Sequence, residues 1–281
     1  MSGRAKIMGI LNVTPDSFSG DGVYAGCRLQ VSGCRLQATG YRLQAAGYNR
    51  SQIGRIVAYA QRMVEDGADI IDVGGESTRP GARPVPLKEE MRRVIPVIKA
   101  LAEKIKAPLS VDTYKPQVAE AALDNGAAMV NDISGLGDAR MACVVKRYKA
   151  RIVIMHIQGQ PKTMQRRPRY KDVVVEVKRY FRERIRLARD AGIARAKIII
   201  DPGIGFGKTL RHNLEILRRL REFKSLGFPL LVGVSRKSFI GALTGKEAPQ
   251  ERIFGTAAAV SLAADRGADI LRVHDVAAMA D

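Results

Sequence analysis

The sequence predicts a single (β/α)8 barrel of the TIM-barrel class, and three observations predict it. Eight short β-branched or apolar runs recur along the 281 residues, and longer stretches with helical periodicity separate them. This alternation is that of repeated βα units on a parallel sheet. The runs follow one another without a composition break or linker across 1–281, which favours one closed barrel over an open doubly wound sheet. The length agrees, since such barrels take about 250 residues.

The eight runs in order are Ile7–Asn12, Asp69–Gly74, Leu109–Asp112, Met129–Ile133, Ile152–His156, Ile198–Asp201, Leu230–Val234 and Ile270–His274. Nearly every one closes on a polar or ionisable residue. The first ends at Asn12, the second carries Asp72, the third ends at Asp112, and the fourth holds Asn131 and Asp132. The fifth reaches His156, the sixth Asp201, the seventh leads into Ser235, Arg236 and Lys237, and the eighth carries Arg272 and His274. In a barrel these ends converge on one face, where the loops after the strands build the active site. A single strand-end Asp or Asn often only caps the next helix. Eight such ends together point to a site.

Two stretches break the rhythm. Residues 26–48 contain three near-identical seven-residue units, GCRLQVS, GCRLQAT and GYRLQAA. One clear apolar position per unit and a Gly in each argue against a coiled coil, so this segment is expected to be a flexible insertion in the first βα loop. At the other end only Ala277–Asp281 follow the eighth run, too few for a full closing helix, so the last helix is expected to be truncated.

Composition narrows the function classes. With 46% hydrophobic residues, and no apolar run near the roughly 20 that a membrane span needs, the chain can fill a core and no membrane partner is expected. No signal-peptide pattern opens the sequence, which predicts a cytoplasmic protein. Cys27, Cys34 and Cys143 lack a metal-ligand spacing and read as free thiols. The net charge of +19 raises nucleic acid as a partner. Much of the excess lies in 166–189 and 211–224 at helical spacing, as on solvated outer faces, and stacking aromatics are scarce, which disfavours that reading.

Three motifs carry chemistry. Gly203–Thr209 (GIGFGKT) fits neither the P-loop nor the dinucleotide pattern, because Pro202 and Lys208 stand where each would need Gly. A glycine-rich turn after Asp201 remains, suited to close backbone approach to a flat ligand. Arg236 and Lys237 follow an apolar strand directly, and cations in a barrel mouth are costly without a partner or an anionic ligand; ligand contact is the favoured reading. Arg272 and His274, two apart and so on one face of the last strand, form a plausible cationic anion clamp at the end where barrels often bind phosphate.

These segments resemble one family closely. ILNVTPDSFS (Ile10–Ser19), DIIDVGGESTRPGA (Asp69–Ala82), SVDT (Ser110–Thr113), NDISG (Asn131–Gly135), MH-x-QG-x-P (Met155–Pro161), DPGIGFGK (Asp201–Lys208), GVSRKSFIG (Gly233–Gly241) and RVHDV (Arg272–Val276) are similar to the dihydropteroate synthases. The resemblance covers the chain apart from 26–48 and the short end. It implies a transferase of folate biosynthesis and a target of sulfonamides. The reaction joins 6-hydroxymethyl-7,8-dihydropterin diphosphate to 4-aminobenzoate through a C–N bond, giving 7,8-dihydropteroate and releasing diphosphate. It also implies a homodimer and a Mg²⁺ ion held partly by Asn12.

By resemblance, Asp112, Asn131 and Asp201 grip the pterin edge, Met155 and Phe206 pack on its faces, and Lys237 reaches a ring heteroatom. Arg79, Arg272 and His274 meet the diphosphate, while Phe18, Thr78, Pro80 and Ser238 shape the 4-aminobenzoate pocket. Asp112, Lys237, Arg272 and His274 are the expected catalytic set. The first loop departs from the family, with Ser19-Gly20-Asp21-Gly22 placing the acid one residue late. Two other readings are a pterin-dependent methyltransferase of the same fold and a catalytically impaired basic barrel that binds RNA. The methyltransferases share the strand-end Asp and Asn but are not expected to carry SRKSFIG and RVHD.

Overall fold

A computed structural model describes residues 4–14, 48–79 and 81–281. Residues 26–47 of the heptad insertion, with Phe18, Asp21 and Pro80, lie outside them.

Period-2 alternation explains why the strands build a barrel with a two-storey interior. Strands β1 (Lys6–Asn12), β2 (Ile70–Gly74), β3 (Leu109–Asp112), β4 (Met129–Asp132), β5 (Arg151–Met155), β6 (Ile198–Asp201), β7 (Leu231–Gly233) and β8 (Ile270–Val273) all run parallel. Their order around the sheet is β6-β5-β4-β3-β2-β1-β8-β7, and a parallel bridge from Ile200 to Leu230 closes the ring. Met8, Ile70, Met129, Val153, Ile199, Leu231 and Ile270 form one buried cluster, the apolar lower storey. Two residues further along, side chains point the same way. That step leads to Ile10, Asp72, Asn131, Met155, Asp201, Gly233 and Arg272, the upper storey.

The intervening strand residues, such as Ile7, Leu11, Ile71, Val73, Val111, Val130, Ile152 and Ile154, face outward into a second, larger core shared with the helices. Helices α1 (Arg50–Glu65), α2 (Leu87–Lys104), α3 (Pro116–Asp124), α4 (Ala139–Arg147), α5 (Val173–Asp190), α6 (Leu210–Arg218), α7 (Ser238–Thr244) and α8 (Ile253–Asp265) supply its other side. Local chemistry fixes where several begin. Asn49 and Gln52 form a reciprocal capping box at α1, and Asp172 accepts from Val174 N and Val175 N at α5. Tyr48 ties the entry to α1 to the barrel, its hydroxyl donating to Val13 O at 2.7 Å. The chain ends in the five-residue α9 (Val276–Ala280), which buries Val276 and Met279. Among the described residues no helix is long and apolar enough to cross a membrane.

Several strands stop sooner than their apolar runs suggest. Ile133, His156, Val234 and His274 lie just past the strand ends. His156 N still donates to Asp201 O at 2.9 Å.

Candidate active site

The upper storey and the loops above it enclose a cavity of about 460 Å³, within the usual size range of ligand pockets. Asn12, Thr78, Arg79, Asp112, Asn131, Met155, Asp201, Phe206, Lys237, Ser238, Arg272 and His274 all line it. The described residues expected to bind substrate or metal are therefore in one place. Phe18 and Pro80 lie outside the described residues.

The floor is a buried charge network. Arg272 donates from Nε to Asp72 Oδ2 and from Nη2 to Asp112 Oδ2, both at 2.6 Å, and Asn131 Nδ2 donates to Asp72 Oδ2 at 3.0 Å. These bonds leave Asp112 Oδ1 and Asn131 Oδ1 buried without a hydrogen-bond partner. Both residues line the cavity, so two fixed acceptors are offered to a donor-rich ligand. Burial pushes the Asp112 carboxyl up to about 7; Arg272 opposes this and Asp72 reinforces it. Burial likewise raises Asp201, against the N–H of Gly203, which donates to its Oδ1 at 2.7 Å.

Lys237 is the cation of the wall. Its Nζ donates to Ile204 O and lies 4.1 Å from the centroid of the Phe206 ring, and burial lowers its pKa to about 8. The turn before it forces Arg236 into a left-handed conformation, φ 58°, a costly state for a residue with a Cβ. Arg236 meets that cost with a bidentate pair to Asp275 at 3.0 and 2.5 Å and with its own N–H donated to Thr256 Oγ1 at 3.1 Å. The expectation that Arg236 and Lys237 both serve a ligand is thus corrected in part. Arg236 lines the cavity, but its guanidinium is committed to Asp275.

The expected clamp on β8 also changes character. Burial, then the charges of Arg236 and Arg272, hold His274 well below its ordinary pKa, so the imidazole is neutral and the pair carries one charge rather than two. Its Nδ1 lies 3.0 Å from Ser235 Oγ, which also accepts from His274 N at 3.1 Å, leaving Nε2 outside that contact.

Two strand-end residues expected on the active face turn away from it. Asp132 and His156 each follow an inward residue, Asn131 and Met155, so the pleat sends them outward. Asp132 accepts from Ser134 N and Leu136 N, both at 2.8 Å, and shapes the turn after β4. His156 Nδ1 lies 2.9 Å from Lys208 Nζ, and burial with the nearby Lys208 charge lowers its pKa to about 2. Lys208 in turn donates to Gly203 O at 2.9 Å and Phe206 O at 3.0 Å, closing the glycine-rich turn on itself. A Cβ on Gly203 would come within 1.9 Å of His156 O, so this glycine serves loop-to-loop packing, whereas Gly205 lines the cavity.

Sequence reasoning missed Met164, Pro249 and Arg252, which also line the cavity. Met164 comes from a turn, and Pro249 and Arg252 from a four-residue 3₁₀ helix, neither long enough to show a periodic pattern. Asp72 was visible as a strand end, but its bond to Arg272 spans 200 residues.

The chain matches the family described as "Pterin binding enzyme" over residues 33–274. The chain belongs to that family. Among its relatives is the dihydropteroate synthase of Synechocystis sp., 46% identical over 278 residues, covering 99% of this chain and 87% of the relative. Among solved structures, the Yersinia pestis dihydropteroate synthase with a sulfonamide drug complex superposes with a TM-score of 0.85 at 42% identity. It covers 99% of this chain and 91% of the other. The Xanthomonas albilineans dihydropteroate synthase in complex with 7,8-dihydropteroate gives a TM-score of 0.80 at 41% identity, with 100% and 92% covered. A pterin-binding family fits the floor described above, where unpaired acceptors are ringed by Met155, Phe206 and Lys237.

Proposed function

We propose that this chain is a dihydropteroate synthase. It joins 6-hydroxymethyl-7,8-dihydropterin diphosphate to 4-aminobenzoate, giving 7,8-dihydropteroate and diphosphate. The observation that carries the reading is the pair of buried, unpartnered acceptors, Asp112 Oδ1 and Asn131 Oδ1, on two residues that line the cavity. A buried acceptor without a partner costs about 1–3 kcal/mol, and the N–H groups on the amino-pyrimidinone edge of a pterin would complete both. The family match and the Synechocystis relative support the same assignment.

The chemistry follows from the residues. With the pterin edge on Asp112, Asn131 and Asp201, its flat faces lie between Met155 and Phe206, and Lys237 reaches a ring heteroatom. The C–O bond to diphosphate breaks with its electron pair going to oxygen, and the amine nitrogen of 4-aminobenzoate forms the new C–N bond and then loses a proton. An aromatic amine is neutral at pH 7, so no strong base is required. Positive charge developing on the pterin is offset by the Asp112 carboxylate, a preorganised electrostatic role. The departing diphosphate is met by Arg79, by Arg272 through Nη1, which joins neither carboxylate bond, and by His274 as a neutral N–H donor. Thr78 and Ser238 line the part of the cavity assigned to 4-aminobenzoate.

Magnesium takes oxygen ligands and is commonly held by one or two protein groups plus substrate phosphates. Among the described residues no group of three or more His, Cys, Asp or Glu side chains is placed to hold a metal. The amide oxygen of Asn12 at the cavity wall, together with the diphosphate, is a donor set that fits. Bound there, Mg²⁺ would neutralise charge on the leaving group.

The chain works as a homodimer in this reading. Helices α7 and α8 expose Leu243 (55%) and Phe254 (86%), apolar side chains a second copy would cover. Incubating the protein with pterin diphosphate, Mg²⁺ and 4-aminobenzoate should yield dihydropteroate and diphosphate in equal amounts. Pterin binding without product, or methyl transfer from methyltetrahydrofolate, would overturn the assignment.

A further inference from the structure

We propose that Lys115 is a positioning residue that sets the β2–α2 loop over the cavity and so governs the 4-aminobenzoate half of the reaction. The inference rests on the function proposed above. Lys115 does not line the cavity. Its Nζ instead bonds two carboxylates at once, Glu76 on the β2–α2 loop and Glu90 on α2.

Three elements meet at this ammonium. Glu90 is 1% exposed, and its other oxygen accepts from Thr113 Oγ1 at 2.7 Å. Thr113 directly follows Asp112, and its Oγ1 also accepts from Lys115 N at 3.2 Å. Glu76 is likewise saturated: Oε1 accepts from Tyr114 Oη at 2.9 Å, and Oε2 from Val85 N at 3.1 Å as well as from Lys115. Burial works against the Lys115 charge, yet the bonds to Glu76 and Glu90 more than offset it and its pKa lies above the ordinary value.

Arg93 also anchors the loop on its inner side. Arg93 Nη1 donates to Gly75 O at 3.0 Å, where a Cβ would come within 2.6 Å of Val94. Glu76 is next in the chain, and Ser77, Thr78 and Arg79, all cavity residues, follow it. The segment from Glu76 to Arg79 has no apolar side chain to bury. The start of this segment is therefore placed by the Glu76 carboxylate, which Lys115, Tyr114 and Val85 hold, while Gly81 N further along donates to Pro161 O at 3.2 Å. Without the ammonium, Glu76 and Glu90 become two buried like charges that push the loop away. The side chains that hold the pterin bond elsewhere, Asp112 to Arg272, Asn131 to Asp72 and Asp201 to Gly203.

The test is a split between substrates. Lys115→Met should raise the KM for 4-aminobenzoate about tenfold to a hundredfold, as small misplacements of binding groups do. The Kd for a pterin lacking phosphate, which does not call on Arg79, should stay within about twofold of the parent, a shift worth less than half of 1 kcal/mol. Lys115→Arg, which keeps the charge, should recover most of the loss. If Lys115→Met does not fold, Glu76→Gln keeps the shape and the Tyr114 bond and should show the same split more weakly. Equal changes in both constants, or none in either, would overturn the positioning role. A parent protein that makes no dihydropteroate would overturn the proposed function, and this inference with it.

Discussion

Asp72, Asp112 and Arg272 on the cavity floor, and Glu76, Glu90 and Lys115 beside the β2–α2 loop, are both buried assemblies of two carboxylates and one cation. They differ in what is left over. In the loop assembly every carboxylate oxygen has a donor, from Lys115, Tyr114, Thr113 or Val85. In the floor assembly Asp72 Oδ1, Asp112 Oδ1 and the neighbouring Asn131 Oδ1 have none. Buried charge by itself therefore does not mark a ligand site, because a closed network can be purely architectural. The mark is hydrogen bonding left incomplete next to a cavity, since such groups are rare in folded proteins and a ligand is one of the few things that completes them.

The largest expected effect probes the closed assembly. Glu90→Ala removes one of the two carboxylates on Lys115 and leaves the buried Thr113 hydroxyl without its acceptor, which should lower folding stability by about 3–5 kcal/mol. Chemical denaturation measures it, and a loss under about 1 kcal/mol would erase the distinction between the two clusters.

The open assembly should respond in catalysis instead. Asp112→Asn keeps the shape and one acceptor for Arg272 but removes the charge facing the pterin. We expect kcat/KM to fall by about 2–4 kcal/mol, roughly 30- to 900-fold, with the melting temperature within a few degrees of the parent. Retention of more than a third of the activity would show that the floor carboxylate is not what the reaction uses.

A pH series sharpens the same point. The Asp112 pKa is raised to about 7 in the fold, so the proton-bound form is the one the ligand-free structure favours. Its contribution to stability is therefore present at acid pH and is lost as pH rises from about 4 through 7. Pterin binding has the opposite sign, since the ring edge needs an ionised acceptor. Affinity for a pterin lacking phosphate should weaken by up to about tenfold per unit below pH 7. Calorimetry across pH 5–8 on the parent and on Asp112→Asn checks this, and a slope that survives the substitution would assign the titration elsewhere.

The smallest effect belongs to His274. As a neutral donor it should contribute about 1 kcal/mol, so His274→Ala should weaken binding of the diphosphate substrate by roughly fivefold and leave the pterin lacking phosphate unaffected. Equal losses for both ligands would move the phosphate contact to another residue.

Much of this site is legible in one dimension because a strand has a fixed period. Once the runs are recognised, Asn131, Met155, Asp201 and Arg272 each stand two residues beyond an apolar partner, and barrel closure makes them neighbours. The same period separates Asn131 from Asp132 and Met155 from His156, a distinction that reading strand ends without parity overlooks. Met164 and Arg252 have no such signature, because a turn and a short 3₁₀ helix bring them to the cavity.

What the order of residues decides here is local: which segments become strands, which faces are apolar, and which polar side chains reach the open end of the barrel. These follow from pleat geometry and burial within a few residues. What only the folded chain decides is partnership and charge state. Arg272 meets Asp72 across 200 residues, and Lys115 meets Glu76 across 39 and Glu90 across 25. Asp112 titrates near 7 and His274 loses its charge because closing the barrel removes water and brings other ionised groups close. No local pattern encodes either outcome, since both depend on the distances between chain segments that folding alone brings together.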